Sequence, residues 1–228
     1  MNGWPVQPRA AALQDETIAM KLLFRLFGVL AGPTSRPPQE PGDTCITRWR
    51  VLPSDVDLFG HMNNSRYQAI MDLGRIDYLR RCDLLKGVVR NRWIAPVGSA
   101  HLQFRKQLAP LERYELHTTL MHWDERWFYF RQQFFRRGDR VRPVCTGYVT
   151  TLFVGREGPV PTAHVVPELS GRELAPPPLT DELRYAFHLE MSAIALANGR
   201  AESPSPQPPC LPSGAPSTAN RQPGAVAR

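Results

Sequence analysis

Long apolar runs and closely spaced cysteines are both missing from this 228-residue sequence. No apolar run reaches the roughly 18 residues that a membrane-spanning helix needs. The four cysteines form no C-x-x-C pair, which excludes a zinc ribbon and a dense disulfide framework. The sequence also lacks an H-x-x-E-H motif or clustered Cys and His ligands, a G-x-S-x-G nucleophile elbow, a P-loop and a Rossmann glycine motif. We therefore expect a protein of a reducing compartment, the cytoplasm, that is neither an α/β-hydrolase nor a metallohydrolase.

Positive charge is in moderate excess. The 28 Lys and Arg residues outnumber the 21 Asp and Glu residues, which gives a net charge of +7. Such a surplus favours anionic partners in general, among them phosphorylated cofactors, nucleic acid and acidic membranes. Basic and aromatic residues interleave between Arg126 and Arg137, but the period of two of a β-strand explains that pattern. We expect no nucleic-acid partner.

Proline-rich segments divide the chain into three regions. Residues 1–43 are predicted to be an N-terminal extension that ends in a Pro/Gly linker, and residues 44–197 carry the periodic patterning of one domain. Residues 198–228 contain seven prolines and almost no large apolar side chain, so we expect this tail to be disordered.

The N-terminal extension contains one short amphipathic stretch, Met20 to Leu30, with the sequence MKLLFRLFGVL. Lys21 and Arg25 interrupt its apolar residues. A basic amphipathic helix of this kind either lies on an anionic bilayer, as a peripheral membrane contact, or docks on the protein itself. The sequence does not separate the two.

The domain pattern predicts one strand, a long buried helix, four further strands and a closing helix. The helix is apolar on more than one face, which indicates that the sheet wraps around it. Turn residues separate the later strands, as in an antiparallel meander. The predicted strands are Thr44 to Leu52, Trp93 to Phe104, Arg113 to Trp123, Trp127 to Phe135 and Val141 to Val154, and the helices are Asn64 to about Leu85 and Thr180 to Ala197.

Chemically useful residues concentrate in the segment that joins the first strand to the buried helix, residues 53–67, which reads PSDVDLFGHMNNSRY. The first amides of a helix have no intrahelical partner and suit a developing oxyanion. Asp57 is close enough in sequence to serve beside them as a general base or a nucleophile. The alternative is structural: Asp, Asn and Gly form loops, Asn63 or Asn64 caps the helix, and His61 makes a hydrogen bond.

The combined motif resembles the hotdog-fold acyl thioesterases. The residues concerned are Asp55-Val56-Asp57, Gly60-His61-Met62-Asn63-Asn64, Tyr67 and Met71-Asp72-Leu73-Gly74-Arg75, with a later match at His122-Trp123-Asp124-Glu125-Arg126. The segment is most similar to the thioesterase superfamily member 6-like branch of the 4-hydroxybenzoyl-CoA thioesterase group. This resemblance implies an α+β hotdog fold, in which an antiparallel sheet wraps around a long central helix and a C-terminal helix follows. It also implies a homodimer or homotetramer.

The resemblance also implies roles for single residues. Asp57 matches the catalytic aspartate, and the backbone amide of Asn64 matches the group that polarises the thioester carbonyl. His61 matches the histidine of plant acyl-carrier-protein thioesterases, although Phe59 stands where those enzymes have an asparagine. His61 and Asn63 are expected to orient water or the carbonyl. Asp72 and Arg75 are interpreted mainly as an ion pair on one helix face.

We therefore expect an acyl-thioester hydrolase of lipid metabolism that acts on acyl-CoA or acyl-carrier-protein without a metal or cofactor. Phe59, Gly60 and Tyr67 are expected to contact the substrate, and Arg105 and Lys106 its phosphates or the carrier. Sheet-edge charge is the alternative for the two basic residues. Two other functions stay open: a non-catalytic hotdog protein that binds acyl chains or lipid at a membrane, and, less favoured, dehydratase chemistry on 3-hydroxyacyl thioesters.

Overall fold

The computed structural model describes residues 22–32 and 42–187 as a five-stranded antiparallel sheet with helices and one small hairpin. The sheet contains β1 (Thr44–Arg50), β2 (Val97–Phe104), β3 (Arg113–Trp123), β4 (Phe128–Arg136) and β5 (Cys145–Thr151), and the hairpin contains β6 (Phe153–Gly155) and β7 (Gly158–Val160). The helices are α1 (residues 22–31), α2 (Asn64–Arg81), α3 (Leu85–Arg90), α4 (Thr162–Ser170) and α5 (residues 181–187). The predicted α+β hotdog fold is confirmed.

Helix α2 is the centre of the fold, as its two-sided apolar pattern predicted. It packs against β1 and β3, with Ile70, Met71 and Leu73 buried. Gly74 lies where the helix approaches the sheet most tightly: a Cβ atom added there would lie 2.6 Å from Leu116 Cδ2. Only glycine permits so close an approach without displacing a neighbour.

The order of strands differs from the predicted four-stranded meander. The sheet order is β1-β3-β4-β5-β2, so β3, β4 and β5 are consecutive neighbours while β2 pairs with β5 at the far edge. Alternation identifies a strand but not its partner, because pairing depends on contacts distant in sequence. The bounds of β3 agree with the prediction.

Several predicted element ends were wrong. Helix α2 ends at Arg81 rather than near Leu85, since Asp83 takes a left-handed conformation with φ 56° and a separate helix, α3, follows. The strand predicted to begin at Trp93 begins at Val97 in the structure. The strand predicted to begin at Val141 begins at Cys145 and is divided into β5 and β6. Helix α4 was missed because it is short and contains Pro167, which disfavours a helical prediction.

Both ends of the described chain pack on the domain, α1 against α2 and β1, and α5 against the sheet. Helix α1 buries Val29, and Arg80 Nη1 donates a 3.0 Å hydrogen bond to the carbonyl of Gly32 just after it. In α5, Leu183 and Phe187 are buried. The remainder of the predicted helix to Ala197, the linker at 33–41 and the predicted disordered tail at 198–228 lie outside the described residues. Within the described ranges, no helix combines the length and the apolar character needed to cross a membrane.

Candidate active site

The loop that carries Asp57 is held closed by its own backbone. A short 3-10 turn, Pro53–Asp55, leads into an antiparallel bridge between Val56 and Met62. The amide of Asp57 donates to the carbonyl of His61 at 3.0 Å, and the amide of Gly60 donates to the carbonyl of Asp57 at 3.1 Å. Gly60 has φ 82°, a conformation that glycine adopts without steric cost. The loop is therefore a defined turn rather than an open connection.

The Asp57 carboxylate lies at the surface end of this turn. Its Oδ1 accepts a 2.9 Å hydrogen bond from the amide of Phe59, and the same atom is 3.7 Å from His61 Nδ1, beyond hydrogen-bond distance. The side chain is 23% exposed. The carboxylate is thus fixed by one backbone donor, while its second oxygen accepts no hydrogen bond from the described residues.

The end of the loop is anchored to two other parts of the chain. The amide of Met62 donates to the carbonyl of Leu108 at 3.0 Å, and the amide of Asn63 donates to the carbonyl of Asp55 at 2.8 Å. Leu108 is fully buried between β2 and β3. Because a buried residue holds the loop, the position of the turn around Asp57 is fixed relative to the start of α2.

Asn63 and Asn64 take different positions at the start of α2. Asn63 is the N-cap, and its Oδ1 accepts hydrogen bonds from the amide of Ser65 at 2.9 Å and from Ser65 Oγ at 2.7 Å. This is the structural alternative considered for an Asn at this position. The amide of Asn64 has no hydrogen-bond acceptor within residues 22–32 and 42–187. It is an unpaired donor at the positive end of an 18-residue helix.

Asp55 connects this loop to helix α1, and sequence reasoning missed the connection. Arg25 donates to both carboxylate oxygens of Asp55, at 2.6 and 3.2 Å, and its Nη2 also donates to the carbonyl of Arg50 at 3.3 Å. Asp55 Oδ2 in addition accepts the amide of Leu52 at 2.8 Å. The two charged side chains are 13% and 6% exposed. The sequence offered no signal for the pair, because its partners are 30 residues apart.

The other predicted substrate contacts are scattered around the loop. Phe59 and Gly60 are exposed at its tip, with the Phe59 ring stacked 6.4 Å from the His61 ring. Arg105 and Lys106 are exposed just after β2, where both amides donate to the carbonyl of Val144. Their segment is joined to the Asp57 loop three residues after Arg105, where the carbonyl of Leu108 accepts the amide of Met62.

Tyr67 lies in the core rather than at the surface of the site. Its ring packs edge-on against Phe134 and Phe104, with centroids 4.8 and 5.1 Å away. Burial raises the pKa of its hydroxyl to about 12. The position gives Tyr67 a packing role that holds the first turns of α2 against the sheet, in place of the direct substrate contact expected from sequence.

An apolar cavity of about 350 Å³ lies further along α2, between the helix, the ends of the strands and α4. Its walls include Ile76, Leu79, Leu120, Trp123, Phe128, Phe130, Phe153, Val165, Val166 and Leu169. Arg75 and Asp72 supply the charged part of the lining. Periodicity alone does not distinguish an aromatic residue of the core from one in a cavity wall, because a cavity depends on how distant elements meet.

Arg75 is held in the cavity wall by two partners. Its Nη2 donates to Asp72 and its Nη1 donates to Gln132 Oε1 at 2.7 Å. Gln132 is fully buried and donates from Nε2 to the carbonyl of Met71 at 2.9 Å. Burial lowers the pKa of Arg75, although the neighbouring Asp72 carboxylate opposes this effect. The predicted ion pair between Asp72 and Arg75 is confirmed.

Metal ligands do not gather near this site. Among the described residues, no group of three or more His, Cys, Asp or Glu side chains is placed to hold a metal ion. The polar groups at hand are the Asp57 carboxylate, the His61 ring and the free helix amide. They are suited to acid-base chemistry and to stabilising one negative oxygen.

Comparison with known proteins assigns the family. Residues 51–187, which include the loop, α2 and the cavity, match the thioesterase-like superfamily. The chain belongs to this family. A thioesterase-like protein is a thioester hydrolase, which is the class of chemistry that the loop and the helix amide suit.

Individual thioesterase-like relatives agree with this assignment. Protein THEM6 of Danio rerio is 28% identical over 161 residues, which cover 69% of this chain and 75% of that protein. A probable thioesterase of Saccharomyces cerevisiae is 27% identical over 85 residues, 36% of each chain. The solved structure of the probable thioesterase YbaW of Escherichia coli has a TM-score of 0.50 at 15% identity and covers 55% of this chain and 96% of that chain. At 15% identity, the similarity to YbaW shows a shared fold and nothing more.

Proposed function

We propose that this protein hydrolyses acyl-CoA thioesters at the Asp57 loop. The observation that carries the proposal concerns the Asp57 carboxylate, which is partly buried and fixed in a turn. This turn leads directly into helix α2, and the amide of Asn64 at the start of that helix is unpaired within the described residues. A thioester needs a positioned water or nucleophile and one donor for the developing oxyanion. In this proposal, Asp57 and the Asn64 amide supply these two groups from one short segment.

Two routes are compatible with this arrangement. As a general base, Asp57 takes a proton from water, the water oxygen bonds to the acyl carbon, and the carbonyl electrons move to an oxygen that the Asn64 amide stabilises. Collapse of that intermediate breaks the carbon–sulfur bond, and the thiolate leaves and is protonated. As a nucleophile, the Asp57 carboxylate attacks the acyl carbon, the carbon–sulfur bond breaks and the thiolate leaves and is protonated, and water then hydrolyses the resulting mixed anhydride to the carboxylic acid and free Asp57.

His61 and Asn63 have supporting roles in this proposal. The His61 ring, 3.7 Å from the Asp57 carboxylate, is close enough to orient a water molecule beside it. Asn63 acts through its cap, because its side-chain oxygen is already bonded to Ser65. By fixing the first turn of α2, the cap determines where the Asn64 amide points.

The function is tested by a hydrolysis screen with the full chain. We expect release of free CoA thiol from acyl-CoA substrates across a series of acyl lengths, together with aromatic acyl-CoA. Acyl-carrier-protein substrates in the same screen distinguish the two carriers. Tight binding of acyl-CoA without thiol release from any substrate would instead support the non-catalytic lipid-binding function.

We further propose that the apolar cavity receives the acyl chain. Its volume of about 350 Å³ lies within the range of small-molecule pockets, and its walls are mostly aliphatic and aromatic. Asn64 and Asp72 are on one helix, eight residues or about 12 Å apart along the axis. An elongated acyl group would span that distance, so the cavity favours substrates with a long apolar tail.

Filling this cavity is expected to shorten the preferred acyl chain. Val166 is half-buried in the wall, and Val166→Phe places a larger side chain there. We expect kcat/KM for long-chain acyl-CoA to fall about tenfold or more while that for acetyl-CoA is unchanged, since a methylene or two in an apolar pocket is worth this much. Val141→Phe, at an exposed position, is the control. An unchanged length profile would place the acyl chain elsewhere.

We also propose that the protein forms a homodimer through the edge of its sheet. Strand β2 is a sheet edge with mostly exposed residues, including Val97 and Phe104, and pairing of two such edges would produce a homodimer. A homotetramer is the alternative.

Arg105 and Lys106, exposed at the end of β2, are proposed to contact the phosphates of CoA. The cytoplasmic location stays a prediction.

A further inference from the structure

Helix α1 presents an apolar face to the outside. Four side chains form this face, which we call the outer helix face: Leu23, Phe24, Phe27 and Leu30, with exposures of 62, 71, 69 and 46%. They recur at helical spacing along one side. A single exposed apolar side chain is common on protein surfaces, but four large ones that are contiguous along one helix mark a surface that contacts a partner.

The helix is fixed with this face outward. On its inner side Val29 is buried and Leu22 and Leu26 pack against the core. The ion pair between Arg25 and Asp55 fixes the first half of the helix, and the hydrogen bond from Arg80 to Gly32 fixes its end. Rolling the helix to bury the outer face would break both contacts. Arg25, one of the two basic residues that interrupt this stretch, points inward to Asp55.

The positive charge next to α1 comes from the sheet edge. Arg25 and the neighbouring β1 residues border a groove that we call the arginine groove, lined also by Arg48, Arg50, Arg113, Arg137 and Arg140. The one carboxylate in its lining, Glu115, is buried and bonded to Arg48 and Arg140. Arg113 and Arg137 are exposed. The groove therefore carries a net positive charge.

We propose that the outer helix face and the arginine groove together bind the surface of an anionic phospholipid bilayer. Exposed apolar side chains that enter the headgroup region, next to arginines that attract acidic headgroups, are the two elements of peripheral membrane binding. The proposal is independent of the catalytic role of Asp57. It assigns the two elements to different parts of the fold, the apolar contact to α1 and the charge to β1, β3 and the loop after β4.

Vesicle sedimentation of the full chain tests the proposal. We expect binding to phosphatidylcholine vesicles that contain phosphatidylserine, weaker binding to pure phosphatidylcholine, and a decrease as salt screens the charges. The double variant Phe24→Ser/Phe27→Ser and the double variant Arg113→Gln/Arg137→Gln should each weaken binding about tenfold. Val89→Ser/Ile94→Ser changes two exposed apolar residues outside α1 and the arginine groove and should bind like wild type.

Three results would overturn the proposal. The first is absence of sedimentation with acidic vesicles, and the second is equal binding by the outer-face variant and its control. The third is a smaller assembly of Phe24→Ser/Phe27→Ser than of wild type on size-exclusion chromatography, because the outer helix face would then be covered by a second copy of the chain. Circular dichroism of each variant verifies that the fold is retained, and hydrolysis of acyl-CoA in solution should be unchanged.

Discussion

Replacement of Asp57 by Asn is expected to reduce kcat for acyl-CoA hydrolysis by about 10²- to 10⁴-fold, the usual contribution of an aligned base. The amide oxygen of Asn still accepts the hydrogen bond that Phe59 donates to Asp57 Oδ1, so the turn is kept. What is lost is the negative charge that abstracts a proton or attacks the acyl carbon. The measurement is thiol release at saturating substrate.

Asp139 provides a matched control for this variant. Its Oδ1 also accepts backbone hydrogen bonds in a turn, from Val141 and Arg142, and it lies between β4 and β5. Asp139→Asn should therefore retain full activity. If Asp57→Asn is folded and as active as Asp139→Asn, Asp57 is not the catalytic group, whereas loss of activity in both would indicate a general effect on stability.

Asp55→Ala is expected to lower the free energy of unfolding by about 3–5 kcal/mol, the range for removing one partner of a buried ion pair. The Arg25 guanidinium, 13% exposed, would lose its counter-charge, and the amide of Leu52 would lose its acceptor. Urea unfolding measures the change. Since the carbonyl of Asp55 also accepts the amide of Asn63, displacement of this residue should lower kcat as well.

A double-mutant cycle separates the ion pair from other effects of this change. Arg25→Met removes the other charge, and the double variant Arg25→Met/Asp55→Ala should be less destabilised than the sum of the two single variants. Lys86→Met, in an exposed ion pair with Asp83, should change stability by no more than about 0.5 kcal/mol. Additive losses in the cycle would contradict the coupling of α1 to the Asp57 loop.

Much of the local structure could be predicted from the sequence alone. The period of two over Arg113–Trp123 predicted β3 with correct ends, and the two-sided apolar pattern after Asn64 predicted a helix inside the sheet. The motif from Asp55 to Asn64 placed the chemistry before that helix. These features depend on residues close in sequence, whose spacing directly sets the face on which each side chain lies.

The tertiary structure decided the features that join distant residues. It placed β2 beside β5, paired Arg25 with Asp55, buried Tyr67 against Phe134 and formed the cavity between α2 and α4. None of these follows from spacing, because each depends on which elements meet after the chain has folded and on how closely their side chains pack. The sequence by itself determined where the carboxylate and the helix start lie along the chain. Packing decided what holds them in place and what surrounds them.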